Sequence, residues 1–186
     1  MSKFIKKSLF GVIEITPERH TDQRGFFSEL LNHNELKNYG LDIEFVQENH
    51  SLSIHSGTVR GLHFQAPPFA QAKLVRCGRG KFLDVAVDIR LGSNTYGQWL
   101  IEELTFKNGK QLYIPEGFLH GFITLEPNSE IIYKCSNFYN KPSEGCVKFD
   151  DPDLKISWGN GTNDYVISTK DREAVQFKDF KSPFTL

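Results

Sequence analysis

The sequence holds a single methionine, three cysteines, no apolar run of membrane-spanning length and no excess of either charge. A transmembrane helix needs roughly 20 consecutive apolar residues, and no stretch here approaches that. The first residues, MSKFIKKSLFGVIEI, carry lysines but lack the long apolar region and small-residue cleavage site of a secretory signal. These absences predict a cytoplasmic protein with no membrane partner. Cys77, Cys135 and Cys146 are odd in number and far apart, and two sit in apolar runs where a cysteine acts as a small hydrophobe. A disulfide scaffold is therefore not expected. With 22 basic against 23 acidic residues, no broad field concentrates nucleic acid or an anionic surface. Any anionic ligand must be held by a local cluster. Internal repeats, low-complexity tracts and a clear linker are also missing, so the chain is read as one domain, 1–186.

What the sequence does have is aromatics and turns. Its 16 phenylalanines and 6 tyrosines suit a pleated, half-buried surface. Turn signals such as Asp22-Gln-Arg-Gly25, Pro67-Pro68, Gly78-Arg-Gly80, Asn108-Gly109 and Pro115-Glu-Gly117 recur at short intervals. Between them, residues 25–31, 44–53, 72–77, 81–89, 98–106, 121–125, 130–138 and 147–149 read as strands by alternation or by β-branched and aromatic content. Such spacing predicts an all-β fold, a sandwich or jelly roll. One short helix is expected over 33–40, with Asn34 as its cap and Gly40 as its stop, and a helical turn is expected to open at Lys170.

The stretch VRGLHFQAPPFAQAKLV places His63 and Lys73 on two apolar β-type runs separated by a proline turn. A lysine inside an apolar strand is unfavourable unless something anionic pairs with it, either an internal carboxylate or the oxyanion of a ligand. Alternation across a strand puts Ile131, Tyr133, Cys135, Asn137 and Tyr139 on one face. Core aromatics with hydroxyls at the rim would produce the same pattern. The run Pro115-Glu-Gly-Phe-Leu-His120 has the P-x-G-x-x-H spacing that resembles the second motif of the cupin superfamily. Metal cupins complete a site with a first motif H-x-H and a nearby glutamate, because a divalent cation needs three or four converging ligands. Here that place reads His63-Phe-Gln65, so no catalytic metal and no cofactor is expected. Histidines left without a metal are available for acid–base work.

Taken together, Asp22-Gln-Arg-Gly-Phe-Phe-Ser-Glu29, Val46-Gln-Glu-Asn-His-Ser51, Arg60-Gly-Leu-His-Phe-Gln65, Gln71-Ala-Lys-Leu-Val75, Asp84-Val-Ala-Val-Asp-Ile-Arg90, Ile114-Pro-Glu-Gly-Phe-Leu-His-Gly-Phe122 and Tyr133-Lys134 resemble the dTDP-4-dehydrorhamnose 3,5-epimerase family across nearly the whole chain. The resemblance implies a cupin-type antiparallel jelly roll (double-stranded β-helix) with a few short helices. It also implies metal-independent inversion at C3 and C5 of a dTDP-4-keto-6-deoxyhexose. On that resemblance His63 is the base, Asp171 orients it, Lys73 stabilises the enolate and Tyr133 is the acid on the opposite face. Arg24 and Arg60 would take the pyrophosphate, Phe27 and Tyr139 would flank the thymine, and Glu29 would accept its imide hydrogen. Gln47, Asn49 and His120 would be polar contacts to phosphate or sugar. Strict alternation puts Arg60 and His63 on opposite faces, so the resemblance requires a bulge or turn at Gly61. The expected partners are a nucleotide sugar and a second copy of the chain, with the β-rich start 9–15 exchanged onto the partner sheet. Ser53 and Ile156-Ser-Trp158 depart from the family pattern without touching an expected catalytic position. The alternatives are epimerisation or isomerisation of another 4-keto nucleotide sugar, at C3 only or C5 only, and a non-catalytic sugar-binding cupin.

Overall fold

Residues 1–159 and 164–186 are described by the computed structural model. In chain order they form β1 (Lys3–Lys6), β2 (Ile13–Thr16), β3 (His20–Asp22), β4 (Gly25–Phe27), α1 (His33–Asn38), β5 (Gln47–Ser53), β6 (Val59–Gln65), β7 (Lys73–Arg79), β8 (Lys81–Asp88), β9 (Trp99–Thr105), β10 (Gln111–Ile114), β11 (Phe118–Thr124), β12 (Ser129–Cys135), β13 (Glu144–Cys146) and α2 (Thr169–Arg172). Strands β1-β2-β10-β7-β12-β5 make one sheet, β13-β6-β11-β8-β9 a second, and β3-β4 a small hairpin. Neighbours in all three pair antiparallel. This is the all-β jelly roll expected from the sequence. Among the described residues no helix is long and apolar enough to cross a membrane.

The two large sheets face each other because each alternating strand presents one apolar row. Val75, Leu112 and Ile131 from the first sheet meet Phe82, Phe118 and Phe122 from the second in one buried cluster. At about 25 cal/mol per Å², burial of such rows is the main term holding the sheets together. A second cluster covers the outside of the five-stranded sheet, where Phe149, Trp158 and Phe184 pack on Val85, Val87 and Ile123. A third seats Leu36 of α1 against Ile13, Ile15 and Leu74.

Several local expectations move. The α1 cap is Asn32, whose side chain accepts from the backbone of Asn34 and Glu35, because Asn34 already lies within the first turn. The strand expected at 147–149 sits earlier, as β13, and Val147 makes only an isolated bridge to Val175. Strand β12 ends at Cys135, so Tyr139 does not share its row but follows a loop. Within the single chain Leu9 and Val12 lie in the inter-sheet core and β2 pairs with β1 and β10.

Candidate active site

Each of four inward rows substitutes a polar residue at one end of the barrel. Lys73 continues the row of Val75 and Cys77, Asp84 lies between Phe82 and Ala86, His120 between Phe118 and Phe122, and Tyr133 between Ile131 and Cys135. Lys73, His120 and Tyr133, together with residues of β5 and β6, line a cavity of about 610 Å³, within the usual range of small-molecule sites, and Asp84 lies behind His120. Lys73 and Tyr133 stand on the six-stranded sheet, whereas His63 and His120 stand on the five-stranded sheet. The two histidines are direct register partners on β6 and β11.

Arg60 and His63 do share the cavity, as required, because the β6–β11 register slips between His120 and Phe122. Gly61 makes the slip possible. Its φ is +120°, and a Cβ there would meet Gly121 Cα at 2.6 Å and the His120 carbonyl at 2.8 Å.

His63 Nε2 lies 2.6 Å from Asp171 Oδ1 across 108 residues of sequence. Asp171 is carried by α2, whose cap Ser168 accepts from the Asp171 backbone N–H, and its other carboxylate oxygen accepts from Gly61 N–H. Burial alone would raise the Asp171 carboxyl. The hydrogen bond and charge of His63, with the Gly61 and Ser168 contacts, outweigh it and hold the group below the usual carboxylate range. Asp171 thus stays ionised and fixes the ring by accepting from Nε2, leaving Nδ1 without a protein partner among the described residues.

Lys73 has no carboxylate at ion-pair distance among the described residues, and its ammonium donates to Gln71 Oε1 at 3.0 Å. Burial pushes it below the usual lysine range, against weaker opposite effects of Cys135, Glu144 and Asp84. Of the two partners left open by the sequence, the internal carboxylate is therefore absent from contact distance. Its Nζ sits 5.7 Å from the centre of the Tyr133 ring. Burial raises the Tyr133 phenol, with Cys135 adding to the effect and Asn49 opposing it, so Tyr133 is a protonated donor at neutral pH.

His120 is buried and held by Asp84 at 2.7 Å. Burial raises the Asp84 carboxyl against the pull of His120, and its second oxygen has no hydrogen-bond partner among the described residues. At the rim, Gln47 bonds Asn49 through its amide and accepts from the Tyr139 backbone N–H. The Tyr139 hydroxyl donates to Glu144, which also pairs with Lys170. Glu144, Gln71 and Asp84 are not among the site residues expected from the sequence. Only Asp84 carried a signal, an acid inside an apolar strand of the kind that marked Lys73; the others depend on contacts made through the fold.

Three expected ligand contacts are not brought to the cavity within one chain. Arg24 is wide open and pairs with Asp22 on the β3–β4 hairpin, Phe27 is 70% exposed, and Glu29 accepts from Asn32. Among the described residues, one group of three side chains converges closely enough to hold a cation: His63, Cys146 and Asp171. Cys146 lies against Asp171, with burial and that carboxylate pushing its thiol up to about 12.

Comparison with known proteins adds the family. The dTDP-4-dehydrorhamnose 3,5-epimerase family profile matches residues 6–179. A dTDP-4-dehydrorhamnose 3,5-epimerase of Sinorhizobium fredii is 48% identical over 168 residues, 90% of this chain and 86% of that protein. The crystal structure of dTDP-6-deoxy-D-glucose-3,5-epimerase from Legionella pneumophila, in complex with dTDP-4-keto-L-rhamnose, superposes with a TM-score of 0.94 at 37% identity, covering 99% of this chain and 98% of that one. A Bacillus anthracis dTDP-4-dehydrorhamnose 3,5-epimerase structure with TDP and PPi bound gives 0.91 at 38% identity, covering 95% and 99%.

Proposed function

The chain belongs to the dTDP-4-dehydrorhamnose 3,5-epimerase family, and on that premise we propose that it inverts C3 and C5 of dTDP-4-keto-6-deoxyglucose to give dTDP-4-keto-rhamnose. The observation that carries the mechanism is the placement of His63 and Tyr133 on facing sheets of one cavity, with Lys73 on the tyrosine's side. Nδ1 of His63 takes a proton from a carbon beside the C4 ketone, and the electron pair moves to the C4 oxygen. Asp171 stabilises the imidazolium through Nε2. Lys73, which has no carboxylate at ion-pair distance among the described residues, faces the developing enolate. Tyr133 then gives its proton to the opposite face of the same carbon. The tyrosinate regains a proton, and His63 loses one, through solvent.

The nucleotide grip in this reading uses Arg60 for the pyrophosphate and Gln47, Asn49, His120 and Tyr139 along the wall. Arg24, Phe27 and Glu29 serve the cavity of a partner subunit in a homodimer, which is supported by their exposure on the hairpin and their absence from their own cavity. Residues 1–186 act as one domain, supported by β1 and β2 joining the six-stranded sheet and Phe184 packing on the five-stranded one. Three unpaired cysteines favour a reducing compartment, the cytoplasm.

Incubation with dTDP-4-keto-6-deoxyglucose in deuterated water tests the reaction by mass spectrometry. Deuterium at both C3 and C5 is expected. Label at one carbon alone indicates a mono-epimerase, and none indicates a binding protein.

A further inference from the structure

We propose that the cluster of His63, Asp171 and Cys146 is an inhibitory site for a thiophilic divalent cation of the zinc type. His63 Nε2 and Cys146 Sγ lie 2.6 and 3.8 Å from the same Asp171 oxygen. All three ligand atoms fall within 4.8 Å of one another. Donors around a tetrahedral zinc, at bonds of roughly 2.0–2.3 Å, stand about 3.3–3.8 Å apart, so a small widening of the His63–Asp171 pair and a small closing of the thiol complete three ligands. Water supplies the fourth. Sulfur, imidazole and carboxylate together suit zinc, whereas magnesium and calcium require oxygen donors. His63 and Cys146 are both partly exposed, which leaves the group open to an entering ion.

The consequence for the base follows from counting protons. In the basic form of the metal-free ring, Nε2 carries the N–H donated to Asp171 and the Nδ1 lone pair is free. A cation bound at Nε2 takes that nitrogen's lone pair. The ring proton then resides on Nδ1, and the thiol proton of Cys146 is released to water. A protonated Nδ1 cannot accept a proton from carbon, so the bound ion silences His63 without entering the substrate cavity. No electron transfer or further reactant is needed.

The effect on turnover rests on the epimerase reading; the site itself does not, and the test separates the two. Chelator-treated protein titrated with cobalt chloride should develop a near-ultraviolet thiolate-to-cobalt band that saturates at one ion per chain and is lost in Cys146→Ser. Zinc chloride should inhibit epimerisation and added chelator should restore it, with magnesium and calcium chlorides inert at the same concentrations. Cys146→Ser should raise the half-inhibiting zinc concentration at least ~tenfold while metal-free turnover stays at the wild-type value. Cys146→Ala is the second variant should the serine lower the melting temperature. Absence of the band in the wild type, its survival in both variants, or zinc inhibition unchanged by them overturns the site. A chain without epimerase activity refutes the reading in the previous section and leaves the cobalt titration to decide this one.

Discussion

At Tyr133 one oxygen separates two roles. As a core aromatic its ring would pack between Lys73 and His120 and its hydroxyl would matter little; as the acid its hydroxyl delivers the inverting proton. Tyr133→Phe keeps the ring, which lies 6.4 Å from that of His120. His63 still removes the proton, and the enolate is returned to mainly on the face it left. Inversion should fall by ~10²-fold or more while exchange of substrate hydrogen for deuterium continues. The ratio of exchange to inversion, read by NMR with melting temperature as control, should rise sharply. An unchanged ratio with normal turnover would remove Tyr133 from the mechanism.

Strands place these side chains, and two points along them are sensitive. Gly61 holds the slip that turns Arg60 and His63 toward one cavity. Gly61→Ala puts a methyl against the backbone of β11 at a φ of +120°, which should cost about 2–4 kcal/mol. It should also displace His63, so that turnover at a temperature where the variant is fully folded drops more than nucleotide binding does. Equal, modest losses in both would show that the slip is not needed for the base. At the end of β8, Asp88 accepts from the Arg90 guanidinium and backbone, Ser93 and Thr95. Burial would raise this carboxyl, yet those donors prevail and lower it to about 2. Because the folded value lies below the unfolded one of roughly 3.9, the contribution is fully present above about pH 4 and disappears as pH falls through about 2. It amounts to about 2–3 kcal/mol. Asp88→Asn should lower the melting temperature at neutral pH and flatten its decline between pH 4 and 2. A decline as steep as that of the wild type would show that Asp88 does not anchor the turn.

The whole molecule raises the question of where the hairpin goes. If Arg24 serves the partner's cavity, a chain carrying His63→Ala and a chain carrying Arg24→Ala are each inactive in the pure state, yet mixed dimers recover one complete site. Random pairing makes half the dimers hybrid, so co-refolded protein should show roughly a quarter of wild-type activity. No recovery, with hybrids confirmed by native mass spectrometry, would place Arg24 in its own chain's site or outside the site altogether.

Residue types and the strand faces they occupy are legible without any knowledge of the fold. Alternation is local, so it was enough to set Tyr133 in the row of Ile131 and Cys135, and to make Lys73 conspicuous in an apolar strand, before any neighbour was known. The turn residues likewise delimited most strands, with errors where a cap or strand end depended on contacts from elsewhere, as at Asn32 and β13. The role of Asp171 came from family resemblance, because nothing in its local run points to His63. Only the tertiary structure could join groups 108 residues apart, back His120 with Asp84, and put Cys146 beside the His63–Asp171 pair. It also set Leu9 and Val12 in the inter-sheet core and held Arg24, Phe27 and Glu29 away from the cavity of their own chain. Periodicity states which way a side chain points from its strand; which strands lie opposite one another is decided by long-range packing, and a site built across two sheets exists only once that packing is complete.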